Sequence, residues 1–173
     1  QPLMVNNLDW LGPMSVIDFL RDIGKYFTVP YMLAKDSVQA RLGAGMSFTE
    51  FSYQTLQAAA FLHPHQHEGV DMQMGGADQW GNITAGLELI RKVGSREGPD
   101  EGEATEPSAF GLCSPLLLSR SGQKMGKSEK GAVFLDGDLT SAYDFYQYWI
   151  NDDDELVIDH LRWLTTKGRE EIE

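Results

Sequence analysis

A pair of lysines on a glycine-containing segment is the first place in this sequence where chemistry can be expected. Lys124 and Lys127 stand three residues apart, with Gly126 between them and the Ser128 hydroxyl directly after. Ammonium groups bind phosphate oxygens through charge-assisted hydrogen bonds, and glycine gives the backbone freedom to approach a ligand. Residues 124–128 therefore predict a clamp for a polyphosphate, and a solvated turn of the same composition is the alternative.

A second feature of nucleotide-binding type lies upstream, where a predicted strand runs into a predicted helix. Residues 70–74 alternate apolar and polar side chains, which is the period of a strand, and a helix is predicted over 83–92. The junction at 75–82 begins with two glycines, and the helix start offers free N–H groups to an anion. Asp78 can accept hydrogen bonds from ribose hydroxyls, and Gln79 can donate to a carbonyl or phosphate oxygen. The spacing matches neither a Walker loop nor the dinucleotide fingerprint.

A third group of polar side chains lies on the helix that the capping box Ser47-Phe48-Thr49-Glu50 predicts. This helix is expected to run to about Leu62 and to end at Pro64. One face carries the packing positions Phe48, Phe51, Thr55, Ala59 and Leu62. The opposite face presents Tyr53, Gln57 and Ala60, for which a plain solvated helix surface is the alternative.

The other predicted elements alternate strands and helices before the chain becomes all helical. A short strand running into a turn that Gly-Pro closes is predicted over 5–13, strands over 112–118 and 132–135, and a surface loop over 94–107. Helices are predicted from Ser15 to residues 28–30 and over 34–42, 139–150 and 155–165. The sequence therefore predicts an α/β domain over residues 1–136 and a helical subdomain over 137–173.

Four histidines raise the question of a metal site. His63, His65 and His67 alternate through a segment that Pro64 places in a predicted loop. Zinc sites usually combine such ligands with a second cluster, and the one cysteine, Cys113, is distant in sequence. We therefore expect no metal site, and we expect His160 at a surface or between helices.

The composition excludes several classes of protein. A net charge of -12 argues against a general nucleic-acid binder, so any nucleic acid must meet a local patch. No apolar run approaches the roughly 20 residues that cross a bilayer, and the first residues do not resemble a signal peptide. A single cysteine suits the cytoplasm, which is the expected location. Both ends of the chain suggest a piece of a longer protein.

Four segments together resemble the bacterial-type tyrosyl-tRNA synthetases of class I. They are Val-Asn-Asn-Leu-Asp-Trp-Leu-Gly at 5–12, Ser-Phe-Thr-Glu-Phe-Ser-Tyr at 47–53, Gly-Gly-Ala-Asp-Gln-Trp-Gly-Asn-Ile-Thr at 75–84 and Lys-Met-Gly-Lys-Ser at 124–128. The resemblance covers nearly the whole chain, and the Asp-Gln-Trp-Gly-Asn run favours this family over the related tryptophanyl enzymes. It implies the second half of a Rossmann-like class I nucleotide-binding domain, followed by the start of an all-helical subdomain on the anticodon side.

The resemblance also implies an activity and a set of site residues. The activity is ATP-dependent conversion of tyrosine to tyrosyl-adenylate, with Mg²⁺ on the ATP, followed by transfer to tRNA(Tyr). The implied residues are Lys124, Lys127 and Ser128 for catalysis, Tyr53, Gln57 and Gln79 for tyrosine, and Gly76, Asp78, Gln79 and Lys127 for ATP or the adenylate. Phe48 matches a position at the interface of a homodimer.

Two departures from the family pattern accompany the resemblance. The His-Ile-Gly-His motif that binds ATP does not occur, so we expect this chain by itself to be inactive. Ala60 stands where the family carries an aspartate that accepts the hydrogen bond of the substrate phenol. These departures keep open a non-catalytic RNA-binding relic of a synthetase, such as a splicing cofactor.

Overall fold

The computed structural model describes residues 2–97, 108–118 and 133–173. By its internal contacts the chain forms two compact units, Gln1–Ser114 and Pro115–Glu173. These units are groups of mutually contacting residues, so the predicted functional boundary at residue 136 stays a prediction. The first unit combines helices with a small parallel sheet, which confirms the predicted α/β class.

Short helices occupy the beginning of the first unit. They are α1 (Leu8–Leu11), α2 (Val16–Asp22), a 3₁₀ turn (Gly24–Tyr26), α3 (Val29–Leu33) and α4 (Asp36–Leu42). The predicted cap of α2 is confirmed, since Ser15 Oγ accepts a hydrogen bond from the Asp18 N–H at 3.1 Å. Side-chain caps of this kind define where the first turn of a helix begins.

Two predictions for these helices are wrong. The short strand predicted at the start of 5–13 is not formed, and residues 8–11 are the helix α1, where the Asn6 side-chain oxygen accepts the Leu8 N–H at 3.0 Å. The segment 28–30 does not end the first helix, since α2 already ends at Asp22. Thr28 instead caps α3, whose first turn tolerates a proline because N–H groups there have no partner within the helix.

Helix α5 (Phe48–His67) is the long helix of this unit, and its predicted start is confirmed. Ser47 Oγ accepts from the Glu50 N–H at 3.2 Å, and Glu50 Oε2 accepts from the Ser47 N–H at 3.0 Å. The predicted end is wrong, because Pro64 lies inside the helix. The chain leaves the helix only at Gly69, whose φ of +68° is readily adopted by glycine.

The three histidines near the end of α5 therefore lie on a helix and not in the predicted loop. The His63 ring stacks on Trp10 with ring centroids 4.4 Å apart and planes 7° apart. The centroids of the His63 and His67 rings are also 4.4 Å apart. Desolvation by burial, and then the charge of His67, lowers the pKa of His63, whereas Glu68 acts in the opposite direction. The end of α5 is thus tied to α1 by an aromatic contact.

The sheet of this unit consists of two described strands that run parallel, β1 (Met72–Gly76) and β2 (Phe110–Ser114). A 3₁₀ turn (Ala77–Gln79) joins β1 to helix α6 (Trp80–Glu97). Helix α6 packs against both α5 and the sheet, and its Ile83 and Leu89 are fully buried. This core holds the end of β1 and the start of α6 in a fixed relation, which is what a ligand site at their junction requires.

The described elements of the second unit are helices. It contains α7 (Ala142–Ile150), α8 (Asp154–Leu164) and α9 (Arg169–Ile172). Ser141 caps α7 by accepting the Asp144 N–H at 3.1 Å. His160 is buried, is hydrogen-bonded to Asp152 and meets the edge of the Trp149 ring, so its predicted place between helices is confirmed. Within the described parts of the chain, no helix combines the length and the apolar character needed to cross a bilayer.

Other boundaries differ from the prediction. Strand β2 covers 110–114 instead of 112–118, and α6 extends past residue 94 into the predicted loop, of which 98–107 lie outside the described residues. Residues 133–135 are not a strand. The Phe134 N–H donates to Thr140 Oγ1 at 2.9 Å, so this segment folds back on the start of α7 instead of extending along a sheet.

Candidate functional site

The described part of the candidate site begins where β1 ends. Because β1 and β2 are parallel and Gly76 pairs with Ser114, the carboxyl ends of both strands lie at one edge of the sheet. Ligands of α/β proteins bind outside the carboxyl ends of such strands. A Cβ on Gly75 would lie 3.1 Å from Gln79 Cβ, which is closer than side chains normally approach. Gly75 therefore lets the strand pack closely on the following turn, and Gly76 is the glycine next to the edge.

The turn after β1 carries the polar side chains that the sequence assigns to nucleotide binding. Asn82 Nδ2 donates to Gln79 Oε1 at 3.3 Å, and Gln79 Nε2 donates to Asp78 Oδ2 at 3.4 Å. These contacts orient the half-buried Gln79 carboxamide, and they place its N–H group toward the exposed Asp78 carboxylate. The structure brings Asp78 and Gln79 together beside Gly76, so an amide donor and a carboxylate acceptor meet at the sheet edge.

A second part of the candidate site lies on α5. The Tyr53 side chain is 53% exposed, whereas Gln57 and Ala60 are half-buried on the same face. Among the described residues, no hydrogen bond engages the Tyr53 hydroxyl or the Gln57 carboxamide. The predicted separation of faces is only partly confirmed, because Phe48, assigned to the packing face, is 77% exposed. Phe48 precedes the packed part of the helix and has no core to enter.

The buried side of α5 also carries a polar side chain, Gln54, which can be compared with the polar side chains of the open face. Gln54 is buried, and its Nε2 donates to the Phe51 carbonyl at 3.2 Å, yet its Oε1 has no partner within the described residues. Gln54 lies next to Tyr53 in sequence but on the other side of the helix. Its amide is therefore a packing feature, and Tyr53 and Gln57 remain the polar groups that α5 presents outward.

The structure adds Gln73, which the sequence analysis did not single out. It lies in the middle of β1 opposite Gly111, and its Oε1 is buried without a hydrogen-bond partner among the described residues. A buried acceptor without a partner is costly unless a ligand or water satisfies it. No signal in the sequence pointed to it, because Gln73 occupies a regular polar position of the alternation at 70–74, whereas the structure exposes Met72 and Met74 and half-buries Gln73. Gln73 is therefore a further candidate for a polar contact, on the strand that leads to Gln79.

The predicted catalytic residues Lys124, Lys127 and Ser128 lie outside the described residues. The described residues stop at Leu118, before this segment, and begin again at Val133, after it. Their assignment stays a prediction from the sequence. The structure thus brings together Gly76, Asp78 and Gln79 at one junction and places Tyr53 and Gln57 on the neighbouring long helix. No hydrogen bond among the described residues joins these two groups.

Comparison with known proteins decides which fold family carries this arrangement. The family model described as "tRNA synthetases class I (W and Y)" matches residues 3–173. The chain belongs to this family. The match extends over nearly the whole synthetase chain, so it includes the sheet edge, the α5 face and the lysine segment.

Individual relatives lie on the tyrosine side of this family. The tyrosine–tRNA ligase of Geobacillus stearothermophilus is 55% identical over 168 residues, which are 97% of this chain and 38% of the relative. Tyrosine–tRNA ligase 1 of Bacillus subtilis is 52% identical over 171 residues, 99% of this chain and 38% of the relative. The synthetase chain thus spans well under half the length of these curated relatives.

A solved structure also resembles this synthetase chain. It is a C-terminally truncated mitochondrial tyrosyl-tRNA synthetase from Coccidioides posadasii, 33% identical, with a TM-score of 0.74. The likeness covers 96% of this chain and 46% of that one. The α/β arrangement is therefore that of a class I synthetase, as the sequence resemblance implies.

Proposed function

We propose that this chain is part of a tyrosine–tRNA ligase, an enzyme that activates tyrosine with ATP and transfers the tyrosyl group to tRNA(Tyr). The observation that carries the proposal is the junction of Gly76, Asp78 and Gln79 between β1 and α6. It combines a close-approach glycine, a carboxylate and an oriented amide at the carboxyl edge of a parallel sheet. Relatives named tyrosine–tRNA ligase at 52–55% identity supply the reaction.

The proposed roles follow from the chemistry of each group. Asp78 accepts from the ribose hydroxyls, and Gln79 donates to an oxygen of the adenylate or of the tyrosine carboxylate. Tyr53 and Gln57 supply a hydroxyl and an amide oxygen to the tyrosine α-amino group. Gln73, on the strand that leads to Gln79, is a further candidate acceptor, because its Oε1 is buried and without a partner within the described residues.

The lysine segment acts on the leaving pyrophosphate. Lys124 and Lys127 neutralise charge that builds up on the phosphate oxygens, and Ser128 adds a hydroxyl donor beside them. This work requires charge and position but no covalent intermediate on the protein. ATP would carry Mg²⁺, and the charge of that ion would shield the phosphate oxygens.

The tRNA partner requires a local cationic surface, because the chain as a whole carries a charge of -12. Lys35 offers one beside the start of α6. Its Nζ donates to Thr84 Oγ1 at 3.2 Å and lies 4.4 Å from the centre of the Tyr31 ring, which holds the ammonium in place. Trp80, at the first position of α6, is 55% exposed and lies four positions before Thr84 in the sequence, so it provides an aromatic face. A fixed cation and an exposed indole suit a phosphate and an unstacked base.

A second copy of the chain is the remaining proposed partner. The ring of Phe48 is 77% exposed at the first position of α5, so it is available to pack against another chain. We propose that the homodimer contact lies in the region of Phe48. We also propose that the enzyme is located in the cytoplasm.

Pyrophosphate exchange tests the proposal in a full-length protein that carries these 173 residues. Tyrosine-dependent exchange is expected, and Lys127→Ala should slow it by about a hundredfold or more while tyrosine affinity changes little, since the charge is needed as pyrophosphate leaves. The 173-residue chain alone should show no exchange above that of its Lys127→Ala variant. Equal losses in tyrosine affinity and in rate would show that Lys127 acts in substrate binding instead.

Ala60 favours a second candidate function, a non-catalytic RNA-binding protein derived from a synthetase. A gel shift with tRNA and with a structured intron RNA separates the two candidates. Binding of both RNAs without any pyrophosphate exchange in the full-length protein would favour the second candidate. Exchange together with selective binding of tRNA would favour the ligase.

A further inference from the structure

The last turn of α5 places two histidines one helical turn apart on the same face. His63 and His67 are four positions apart in the sequence, and side chains at this spacing are neighbours on a helix surface. Their ring centroids are 4.4 Å apart. No metal site is expected from the sequence, because no second ligand cluster accompanies these histidines, and they are predicted to lie in a loop. On a helix the same spacing brings both rings to one face, next to each other.

The third histidine of the segment differs from this pair. His65 Nδ1 lies 2.9 Å from the Val70 carbonyl oxygen, and its Nε2 lies 3.4 Å from Ser108 Oγ. Both of its ring nitrogens are therefore engaged. By contrast, no hydrogen bond among the described residues engages a ring nitrogen of His63 or His67. Trp10 covers a face of the His63 ring, whereas a metal ion binds a nitrogen at the ring edge, in the ring plane.

We propose that His63 and His67 form a two-histidine binding site for a divalent transition cation of the zinc type. Imidazole nitrogens are preferred ligands of Zn²⁺, Cu²⁺ and Ni²⁺, and a helix holds two of them at a fixed separation. In the described residues, no group of three or more His, Cys, Asp or Glu side chains could hold a metal. Water therefore completes the coordination, and the site is open on its solvent side.

Occupation of this site has a structural consequence for α5. Pro64 lies inside α5 and cannot donate a backbone hydrogen bond to the Ala60 carbonyl, so the turn that ends at Pro64 lacks one of its internal bonds. A cation shared by His63 and His67 spans the following turn, at the C-terminal end of the helix, and stabilises it. Because binding requires the helical spacing, the folded chain binds the cation better than the unfolded chain and is stabilised by it. The proposed cation site does not depend on the proposed tyrosine activation, and its test is separate.

Titration of the 173-residue chain with ZnCl₂ near neutral pH, followed by calorimetry, tests the site. The original chain should bind Zn²⁺, and His67→Gln should bind it at least about tenfold more weakly, because loss of a direct ligand exceeds the effect of losing an outer contact. His65→Gln is the matched control and should bind as the original chain does. Cys113→Ser should also bind unchanged, since the single cysteine is not part of the site.

Two further measurements keep the test decisive. The chain has four histidines, so nitrogen NMR of the imidazole rings resolves each one, and Zn²⁺ should shift His63 and His67 but neither His65 nor His160. The midpoint of thermal unfolding should rise with Zn²⁺ in the original chain and stay constant in His67→Gln. His67→Gln is preferred to His63→Gln because His67 is exposed and does not stack on Trp10. Absence of binding, equal binding by His67→Gln, or loss of binding in His65→Gln or Cys113→Ser would each overturn the proposal.

Discussion

The two sides of helix α5 differ in what determines their residues. The side toward α6 is closed: Ala58 and Phe61 are almost fully buried, and a Cβ on Gly86 of α6 would lie 2.9 Å from Phe61 Cδ1. The opposite side is open, with Tyr53 half-exposed and Ala60 half-buried. On the closed side, volume limits which side chains can fit. On the open side there is room for a polar group, so the ligand and not the core decides which residue is best.

The largest expected effect tests this difference with one substitution at two positions. Ala58→Asp places a carboxylate in the closed side, where Ala58 has no exposed surface, and should destabilise the fold by about 3 to 5 kcal/mol because the charge has no partner. Ala60→Asp, two residues further along the helix, should change stability by less than about 1 kcal/mol. Urea unfolding of both variants measures the difference. Similar losses at both positions would mean that the open side is part of the core.

The next prediction concerns amino-acid preference in a full-length protein. Tyrosyl-tRNA synthetases are themselves the standard example of a site that selects its substrate by bonding a hydroxyl. With Ala60 instead of the family's aspartate, we expect a weaker preference for tyrosine over phenylalanine. Ala60→Asp should raise the ratio of the two specificity constants by about ten- to a hundredfold, since a hydrogen bond to a charged group contributes about 1.5 to 3 kcal/mol.

Activation kinetics with tyrosine and with phenylalanine measure this ratio. Ala60→Asn is the control, because it adds similar volume and an acceptor without the charge, and its effect should be smaller. An unchanged ratio in Ala60→Asp would show that position 60 does not contact the phenol. The assignment of Tyr53 and Gln57 to the same substrate would then lose its support.

Overpacking of the closed side should have a somewhat smaller effect. Gly86→Val directs new methyl groups at Phe61, which is almost completely buried, and should cost about 1 to 3 kcal/mol. Gly94→Val on the same helix is the matched control, since no described atom lies within 4 Å of the Cβ position there. Thermal unfolding of the two variants compares a blocked with an unblocked position. Equal midpoints would show that α5 and α6 can separate without a cost.

The sequence is most informative where a local interaction determines the structure. Ser47 and Glu50 form a capping box whose partners are three residues apart, so the start of α5 follows from the sequence alone. The turn after β1 could be located in the same way, because a segment of alternating apolar and polar residues is followed there by two glycines. The chemistry of Asp78 and Gln79 could therefore be placed at a helix start before the structure was known.

Elements that depend on distant contacts could not be predicted in this way. Pro64 is a helix breaker by itself, yet α5 continues through it while Phe61 is held against α6 and Trp10 stacks on His63. Gln73 becomes a candidate only once β2 is paired beside it and its Oε1 is seen to be buried. In each case the missing information was the neighbouring element in space.

The smallest expected effect is a pH dependence at the start of α5, where neither side of the helix is yet packed. Hydrogen bonds from the Ser47 N–H and then the Ser47 hydroxyl, with a further contribution from Arg41, lower the pKa of Glu50 from its ordinary value of 4.5. Because the pKa is lower in the folded chain, the folded state favours the ionised carboxylate. The resulting stabilisation is fully present above the ordinary value and is lost as the pH falls through the folded pKa.

Glu50→Gln isolates this contribution, since the carboxamide keeps an acceptor oxygen but has no charge to lose. The original chain should be more stable than Glu50→Gln near pH 6, and the difference should shrink toward about pH 3 as the carboxylate takes up a proton. Glu170→Gln is a suitable control, because Glu170 is an exposed first-turn glutamate of α9 for which no capping contact occurs among the described residues. Urea unfolding across this pH range gives both differences. A constant difference for Glu50→Gln would show that the contribution of the capping contact does not depend on the charge of Glu50.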